Sequence, residues 1–107
     1  MTTVQFFKSN GQWIGYHASG HSGYGVEGED IVCASISTAL QMVATGLKDV
    51  KKLRPKVKIS NDQAEMDCQL VASVEQAQDM LEMLYITILD LAKQYPKYLK
   101  LEVIEKC

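Results

Sequence analysis

Residues 20–33 read Gly-His-Ser-Gly-Tyr-Gly-Val-Glu-Gly-Glu-Asp-Ile-Val-Cys, and this stretch separates a strand-rich beginning from the first predicted helix. Four of the seven glycines of the chain lie in it. Glycine loses more backbone entropy on folding than any other residue, so a simple connector would not need four of them. The stretch therefore predicts a long loop that can move, with His21 at its start and Cys33 at its end.

The residues that follow the loop have helical character. Asp30 is predicted to be the N-cap and Cys33 the third residue of a helix. At that position the unpaired amides and the positive end of the helix dipole favour a thiolate over a thiol. A histidine able to fold back over the sulfur would complete a nucleophilic pair. The alternative is that Cys33 is a buried core residue and His21 an unrelated loop residue.

Strand and helix patterns alternate along the rest of the chain. Period-two alternation of apolar and polar residues predicts strands at residues 3–8, 13–18, 56–59, 65–70 and 99–104. Helical spacing of apolar residues predicts helices at residues 30–45 and 73–95. The resulting order, ββαββαβ, predicts one α/β domain over residues 1–107. We expect a two-layer sandwich in which both helices cover one face of a mixed five-stranded sheet.

Short patterns predict how these elements turn and end. Asn10 and Gly11 form a typical tight hairpin turn. Gly46 is predicted to end the first helix as a left-handed cap. Residues 73–76 resemble a capping box, and Pro96 ends the second helix. Cys68 lies in register with the apolar residues of its strand, which predicts a core position.

The second helix carries apolar residues beyond the stripe that one sheet can cover. They indicate either the edge of a wide core or a surface shared with a second copy of the chain. These residues are Met80, Met83, Ile86 and Leu89.

Composition and charge exclude several classes of protein. Hydrophobic residues make up 47% and charged residues 22%, as in ordinary globular domains, so disorder is not expected. The net charge of −2 gives no electrostatic reason to bind nucleic acid. No basic leader and no apolar run of membrane-spanning length is apparent, and three cysteines form no even-numbered framework. We therefore expect a cytosolic protein that contacts neither membrane nor nucleic acid.

Although the net charge is slightly negative, basic residues cluster in one segment of the chain. We interpret it as a solvated connector with the exposed face of a strand, the alternative being contact with an acidic partner or ribosomal RNA. Its members are Lys48, Lys51, Lys52, Arg54, Lys56 and Lys58.

Residues 20–24 and 30–37 together resemble the signature of the ribosomal-processing cysteine proteases, the Prp family. The shared pattern is Gly-His, a short glycine-containing loop, and Asp-Ile-Val-Cys-Ala at the opening of a helix. The resemblance implies a homodimeric intracellular endopeptidase, without cofactor or metal, that removes the N-terminal extension of the large-subunit ribosomal protein numbered twenty-seven. It also implies that His21 and Cys33 are the catalytic pair and that Asp30 and Ser37 are supporting polar residues.

Several roles at this site stay open. Asp30 is either the helix cap or the residue that orients His21. Ser37 bonds either near the sulfur or the loop, or back to the backbone of its own helix. Helix-start amides, including that of Cys33, are expected to bind the oxyanion. We expect residues 22–28 to be loose before peptide binds and to close on it. The loop residues expected near substrate are Gly20, Ser22, Gly23, Tyr24 and Gly28.

Two alternative functions compete with a protease. A metal site is disfavoured because no Cys-x-x-Cys pair or His-x-x-x-His helix is present, although ligand types occur at His17, His21, Cys33 and Cys68. The other alternative is a non-catalytic module that docks on ribosomal protein or RNA. That function would explain the basic connector but not a cysteine that follows a histidine-bearing glycine loop.

Overall fold

The computed structural model describes residues 1–20, 29–60 and 64–106, with the side chains of residues 29 and 30 outside that description. The strands are β1 (Thr2–Ser9), β2 (Gln12–Ser19), β3 (Lys56–Ser60), β4 (Glu65–Gln69) and β5 (Leu99–Glu105). The helices are α1 (Glu29–Thr45) and α2 (Gln78–Gln94). A π-helical turn, Gly46–Val50, continues α1, and a 3-10 turn, Val74–Ala77, precedes α2. The predicted order ββαββαβ is confirmed.

The five strands form one mixed sheet in the order β3-β4-β2-β1-β5. The β1–β2, β2–β4 and β3–β4 pairs are antiparallel, whereas β5 lies parallel to β1. Asn10 and Gly11 both have positive φ, 52° and 76°, as the predicted tight turn between β1 and β2 requires. Local turn chemistry therefore determines the first hairpin. Its second strand, β2, ends directly before the glycine-rich stretch.

One hydrophobic core holds α1 and α2 against a single face of the sheet. Alternate residues of β1 and β2, among them Val4, Phe6 and Tyr16, point into it and meet the inner faces of both helices. Ile36 and Leu40 contribute from α1, and the α2 residues Leu81, Leu84 and Ile88 are fully or almost fully buried. The two-layer arrangement follows, because the opposite face of the sheet carries half-exposed polar residues such as Gln5 and His17.

Cys68 is only 1% exposed, which confirms its predicted place in the core. Burial raises the pKa of its thiol, since the charged form would lose its hydration. Cys68 is therefore expected to remain protonated and unreactive while the protein is folded.

Gly46 does not end α1 as a left-handed cap, so that prediction is wrong. Its φ is not positive, and the chain continues directly into the π-helical turn. A Cβ at Gly46 would lie 2.8 Å from Sδ of Met80 on α2. The glycine thus permits close contact between the two helical segments, and Met80 belongs to the edge of the core.

The predicted capping box at residues 73–76 is also not formed. Ser73 adopts a left-handed conformation, with φ of 57°, and its side chain makes no capping hydrogen bond. A 3-10 turn occupies Val74–Ala77, and α2 begins only at Gln78. The helix ends at Gln94, two residues before Pro96, as predicted.

By length and composition alone, the 20-residue segment Ile31–Val50 would suffice to cross a membrane, since an 18-residue window within it has a mean hydropathy of 1.3. This corrects the expectation that no segment approaches that length. The apolar composition has a local explanation, because the residues that face the sheet lie in the common core. They are Val32, Ile36, Leu40, Val43, Ala44 and Leu47.

Lys51 is not part of a solvated connector, in contrast to the prediction for the basic cluster. Its Nζ lies 2.5 and 2.7 Å from the two carboxylate oxygens of Asp79 and also donates to the carbonyl of Gln76. The hydrogen bond from Lys51 lowers the pKa of Asp79. The ion pair joins the π-helical turn to the first turn of α2.

The Lys51–Asp79 pair predicts a specific loss of stability in acid. A carboxyl with a lowered pKa stabilises the fold above its ordinary pKa, and the contribution disappears as pH falls through the folded-state value. Asp79→Asn should therefore flatten the decline in the free energy of unfolding below about pH 5, measured by urea titration. Asp90→Asn, which removes an exposed carboxylate from the same helix, is the matched control. Equal slopes for the two variants would contradict the assignment.

Candidate active site

Cys33 is the fifth residue of α1, not the third, because the helix begins at Glu29. Asp30 therefore lies inside the helix and is not its N-cap. In an α-helix the amide of the fifth residue bonds to the carbonyl of the first, so the Cys33 amide is not free to bind an oxyanion. The free amides belong to the first turn, and a helical side chain leans back toward that turn. The sulfur of half-buried Cys33 thus remains near the positive end of the helix.

Thr2, the first residue of β1, contacts the sulfur directly. Its Oγ1 lies 3.4 Å from Sγ of Cys33 and 3.4 Å from the carbonyl oxygen of Gly20. Thr2 is only 6% exposed, and its backbone amide donates to the carbonyl of Tyr98 at 2.9 Å. The hydroxyl therefore connects the cysteine with the residue that immediately precedes His21 in the sequence.

The sequence predictions did not include Thr2 among the site residues. A signal was present, because Thr2 shares the period-two alternation of Val4 and Phe6 and so belongs to the buried face of its strand. A polar side chain at such a position needs a hydrogen-bonding partner. The identity of that partner, a cysteine 31 residues away, depends on the tertiary fold.

Gly20 makes the close approach of the two strand ends possible. Its φ is +90°, which only glycine adopts without strain, and a Cβ at this position would overlap the carbonyl oxygen of Met1. The start of β1 can therefore lie directly against the end of β2. This proximity brings Thr2 within reach of Cys33.

A groove of about 420 Å³ opens beside Cys33, between α1 and one end of the sheet. Its apolar residues include Ile36 and Leu40 of α1 and Ile59 and Met66 of β3 and β4. The volume is within the range of sites that bind small ligands or short peptide segments. The arrangement can hold apolar side chains next to the sulfur.

Ser37 lies one helical turn beyond Cys33, and both residues line the groove, as their spacing predicts. Its Oγ accepts a hydrogen bond from Nε2 of Gln41 at 2.7 Å. Gln41 belongs to the same helix, so this contact joins two side chains of α1 and is not a bond from the hydroxyl to a backbone carbonyl. The hydroxyls of Ser35 and Thr38, by contrast, donate to carbonyls of the preceding helical turn. Ser37 thus belongs to the wall of the groove.

The remaining predicted site residues, except Gly20, lie outside the described part of the chain. They are His21, Ser22, Gly23, Tyr24 and Gly28, with the side chain of Asp30. The predicted closing of residues 22–28 on substrate also concerns this part. The roles assigned to these residues therefore remain predictions from the sequence.

His17 faces away from the groove, on the open face of the sheet. Its Nδ1 lies 3.0 Å from Oδ1 of Asp67, which also accepts a hydrogen bond from Gln69 at 3.1 Å. These contacts match the interpretation of His17 as a strand residue with a polar partner. Within residues 1–20, 29–60 and 64–106, no group of three or more His, Cys, Asp or Glu side chains is arranged to hold a metal ion.

Comparison with solved structures gives closely similar folds. SMU.848 from Streptococcus mutans is 24% identical, with a TM-score of 0.90 over 99% of this chain and 96% of that chain. The ribosomal processing protease Prp from Staphylococcus aureus, in complex with a substrate peptide, is 21% identical, with a TM-score of 0.88 over 96% and 99%. A second structure of that protease, with a covalently linked product peptide, has a TM-score of 0.84 at 22% identity, with the same coverage. No curated protein matches the chain.

The family comparison is more specific than these similarities of fold. The family model described as Cysteine protease Prp matches residues 1–100 of the 107 residues. The match includes the half-buried cysteine, the threonine hydroxyl beside it and every residue that lines the groove. The chain therefore belongs to the cysteine protease Prp family and is a cysteine peptidase.

Proposed function

We propose that this peptidase removes the N-terminal extension of the large-subunit ribosomal protein numbered twenty-seven, with Cys33 as nucleophile and His21 as its acid–base partner. The observation that carries the proposal is the position of the Cys33 sulfur at a groove able to hold a peptide. The name of the staphylococcal relative, a ribosomal processing protease solved with a substrate peptide, supports a substrate of this class.

The proposed reaction has two steps. The Cys33 thiolate attacks the carbonyl carbon of the scissile peptide bond, and the His21 imidazolium gives its proton to the leaving amine. The acyl group then remains on sulfur as a thioester. His21, now neutral, takes a proton from water, whose oxygen attacks the thioester carbonyl and releases the new carboxylate and Cys33. Free amides of the first turn of α1 are suited to stabilise the oxyanion in both steps.

The groove supports a preference for apolar residues in the substrate. Ile59 is 53% exposed and lines this groove. Its side chain therefore contributes little to the core and is free to contact a peptide. Replacing Ile59 with a charged residue would remove one apolar contact and would weaken the binding of an apolar peptide. The reacting groups would remain intact.

Ile59→Asp should lower kcat/KM for a precursor peptide about tenfold or more. The measurement is the initial rate of cleavage at several peptide concentrations. Val71→Asp is the matched control, because Val71 is 69% exposed and does not line the groove. Equal kcat/KM values for the two variants would show that peptide does not bind along Ile59.

The direct test of the function is incubation with a ribosomal-protein precursor that carries its N-terminal extension, followed by mass measurement. The expected result is two products whose masses sum to that of the precursor plus one water. The mature protein without its extension is the control and should keep its mass. Binding of the precursor without any change in mass would instead identify a docking module.

We also propose that the protein is located in the cytosol and forms a homodimer through α2. Met83 and Ile86 are exposed on α2, whereas Met80 is half-buried against Gly46, so only part of the extra apolar surface of this helix is covered within the chain. Association through the exposed part would bury it. Light scattering of the wild type and of Ile86→Glu tests this, since the wild type should have twice the mass of one chain and the variant should shift toward monomer.

A further inference from the structure

The hydroxyl of Thr2 is a nearly buried polar group, and two neighbours of different chemistry lie beside it among the described residues. A threonine hydroxyl has one hydrogen to donate and two lone pairs to accept with. Its neighbours are the sulfur of Cys33 and the carbonyl oxygen of Gly20, each at 3.4 Å. A carbonyl oxygen can only accept, whereas the sulfur donates as a thiol and accepts as a thiolate.

The direction of these hydrogen bonds therefore depends on the charge of the sulfur. When Cys33 is a thiol, its S–H can donate to Thr2 Oγ1 while the hydroxyl donates to Gly20. When Cys33 is a thiolate, the contact is a hydrogen bond only if the hydroxyl rotates and donates to sulfur. A hydrogen bond to a charged group is stronger than one between neutral groups, so the hydroxyl binds the sulfur more strongly when it donates to a thiolate.

The backbone holds Thr2 in place for this role. Its amide donates to Tyr98, and it pairs with Leu99 of β5 in the parallel register. Threonine is stiff at χ1 because it is branched at Cβ, so the hydroxyl has few alternative positions. The lack of a side chain at Gly20 keeps this corner of the sheet closely packed.

We propose that Thr2 is a positioning residue of the active site, whose hydroxyl holds the Cys33 sulfur and donates the hydrogen bond that stabilises its thiolate. The inference rests on the proposed role of Cys33 as nucleophile. It assigns a catalytic contribution to the first strand of the sheet, far from the cysteine in sequence.

The test is the rate of alkylation of Cys33 by iodoacetamide at neutral pH, followed by mass analysis of the peptide that contains Cys33. Thr2→Val keeps the shape of the side chain but removes the hydroxyl, and it should slow alkylation about tenfold or more. Thr2→Ser restores the hydroxyl and should recover most of the wild-type rate. Thr3→Val makes the same change one residue along, on the opposite face of β1, and should have no effect.

The pattern of rates decides the proposal. A wild-type rate or a faster one in Thr2→Val would overturn it, as would an equal loss in Thr2→Val and Thr2→Ser. If Thr2→Val does not fold, Thr2→Ala and Thr2→Ser replace the comparison, since both lack the methyl group and only serine keeps the hydroxyl. Unfolding curves of all variants separate stability from reactivity.

Alkylation needs no substrate, so this test is independent of the proposed function. If Thr2→Val slows alkylation but Cys33→Ala still cleaves precursor, the proposed function fails and the contact with the sulfur stands. If Cys33→Ala abolishes cleavage while Thr2→Val alkylates at the wild-type rate, the function stands and the role of Thr2 fails.

Discussion

Cys33→Ala is expected to lower the rate of precursor cleavage by roughly 10⁴-fold or more, because the atom that forms the acyl-enzyme is lost. The fold should be preserved, since Cys33 is only half-buried and alanine is a good helix former. The measurement combines a cleavage assay at high enzyme concentration with a urea unfolding curve.

Cys68→Ala is the matched control for this prediction. Cys68 is buried in the core, so its truncation leaves a small cavity and should reduce stability by about 1 kcal/mol. Its effect on cleavage should be small. The two variants thus separate an effect on activity from an effect on stability. Substantial cleavage by Cys33→Ala would exclude Cys33 as the nucleophile.

Gly20→Ala is expected to have the second largest effect, and it should impair both stability and activity. The alanine would have to keep a positive φ, which is strained for a residue with a side chain. Its Cβ would also overlap the carbonyl oxygen of Met1. Relief of that overlap requires the end of β2 and the start of β1 to move apart, which displaces Thr2 from its contacts with Gly20 and Cys33. We expect a loss of stability of at least about 2 kcal/mol and slower alkylation of Cys33.

Gly11→Ala isolates the contribution of close packing. Gly11 also has positive φ, +76°, but no atom lies within 4 Å of the position of its added Cβ. Its replacement should cost only the backbone strain, about 1–2 kcal/mol, without slowing alkylation. Unfolding curves and alkylation rates of the two variants provide the comparison. If both variants lose the same stability and react at the same rate, the packing at Gly20 does not support the site.

Features determined by local chemistry were predictable from the sequence. The turn at Asn10 and Gly11 needs two positive φ values, and few residue pairs allow them. The strand pattern around Cys68 places every second residue on one face, so its burial followed from its neighbours. The family signature likewise depends on consecutive residues.

Features determined by contacts between distant segments were not predictable in this way. A glycine near the end of a helix is usually a cap, and only the packing of α2 shows that Gly46 serves contact with Met80. Lys51 has an ion-pair partner 28 residues away, and Thr2 approaches a sulfur 31 residues away. Sequence spacing within one element contains no information about such pairs.

The central claim is that the sulfur of Cys33 forms a covalent acyl-enzyme with a ribosomal-protein precursor. The most direct measurement is to mix enzyme and precursor, quench with acid within the first turnover, and locate the modification by mass spectrometry of proteolytic peptides. The predicted result is a transient adduct on Cys33 whose added mass equals that of the released N-terminal segment minus one water. Cleavage without such an adduct, or with an adduct on another residue, would contradict the claim.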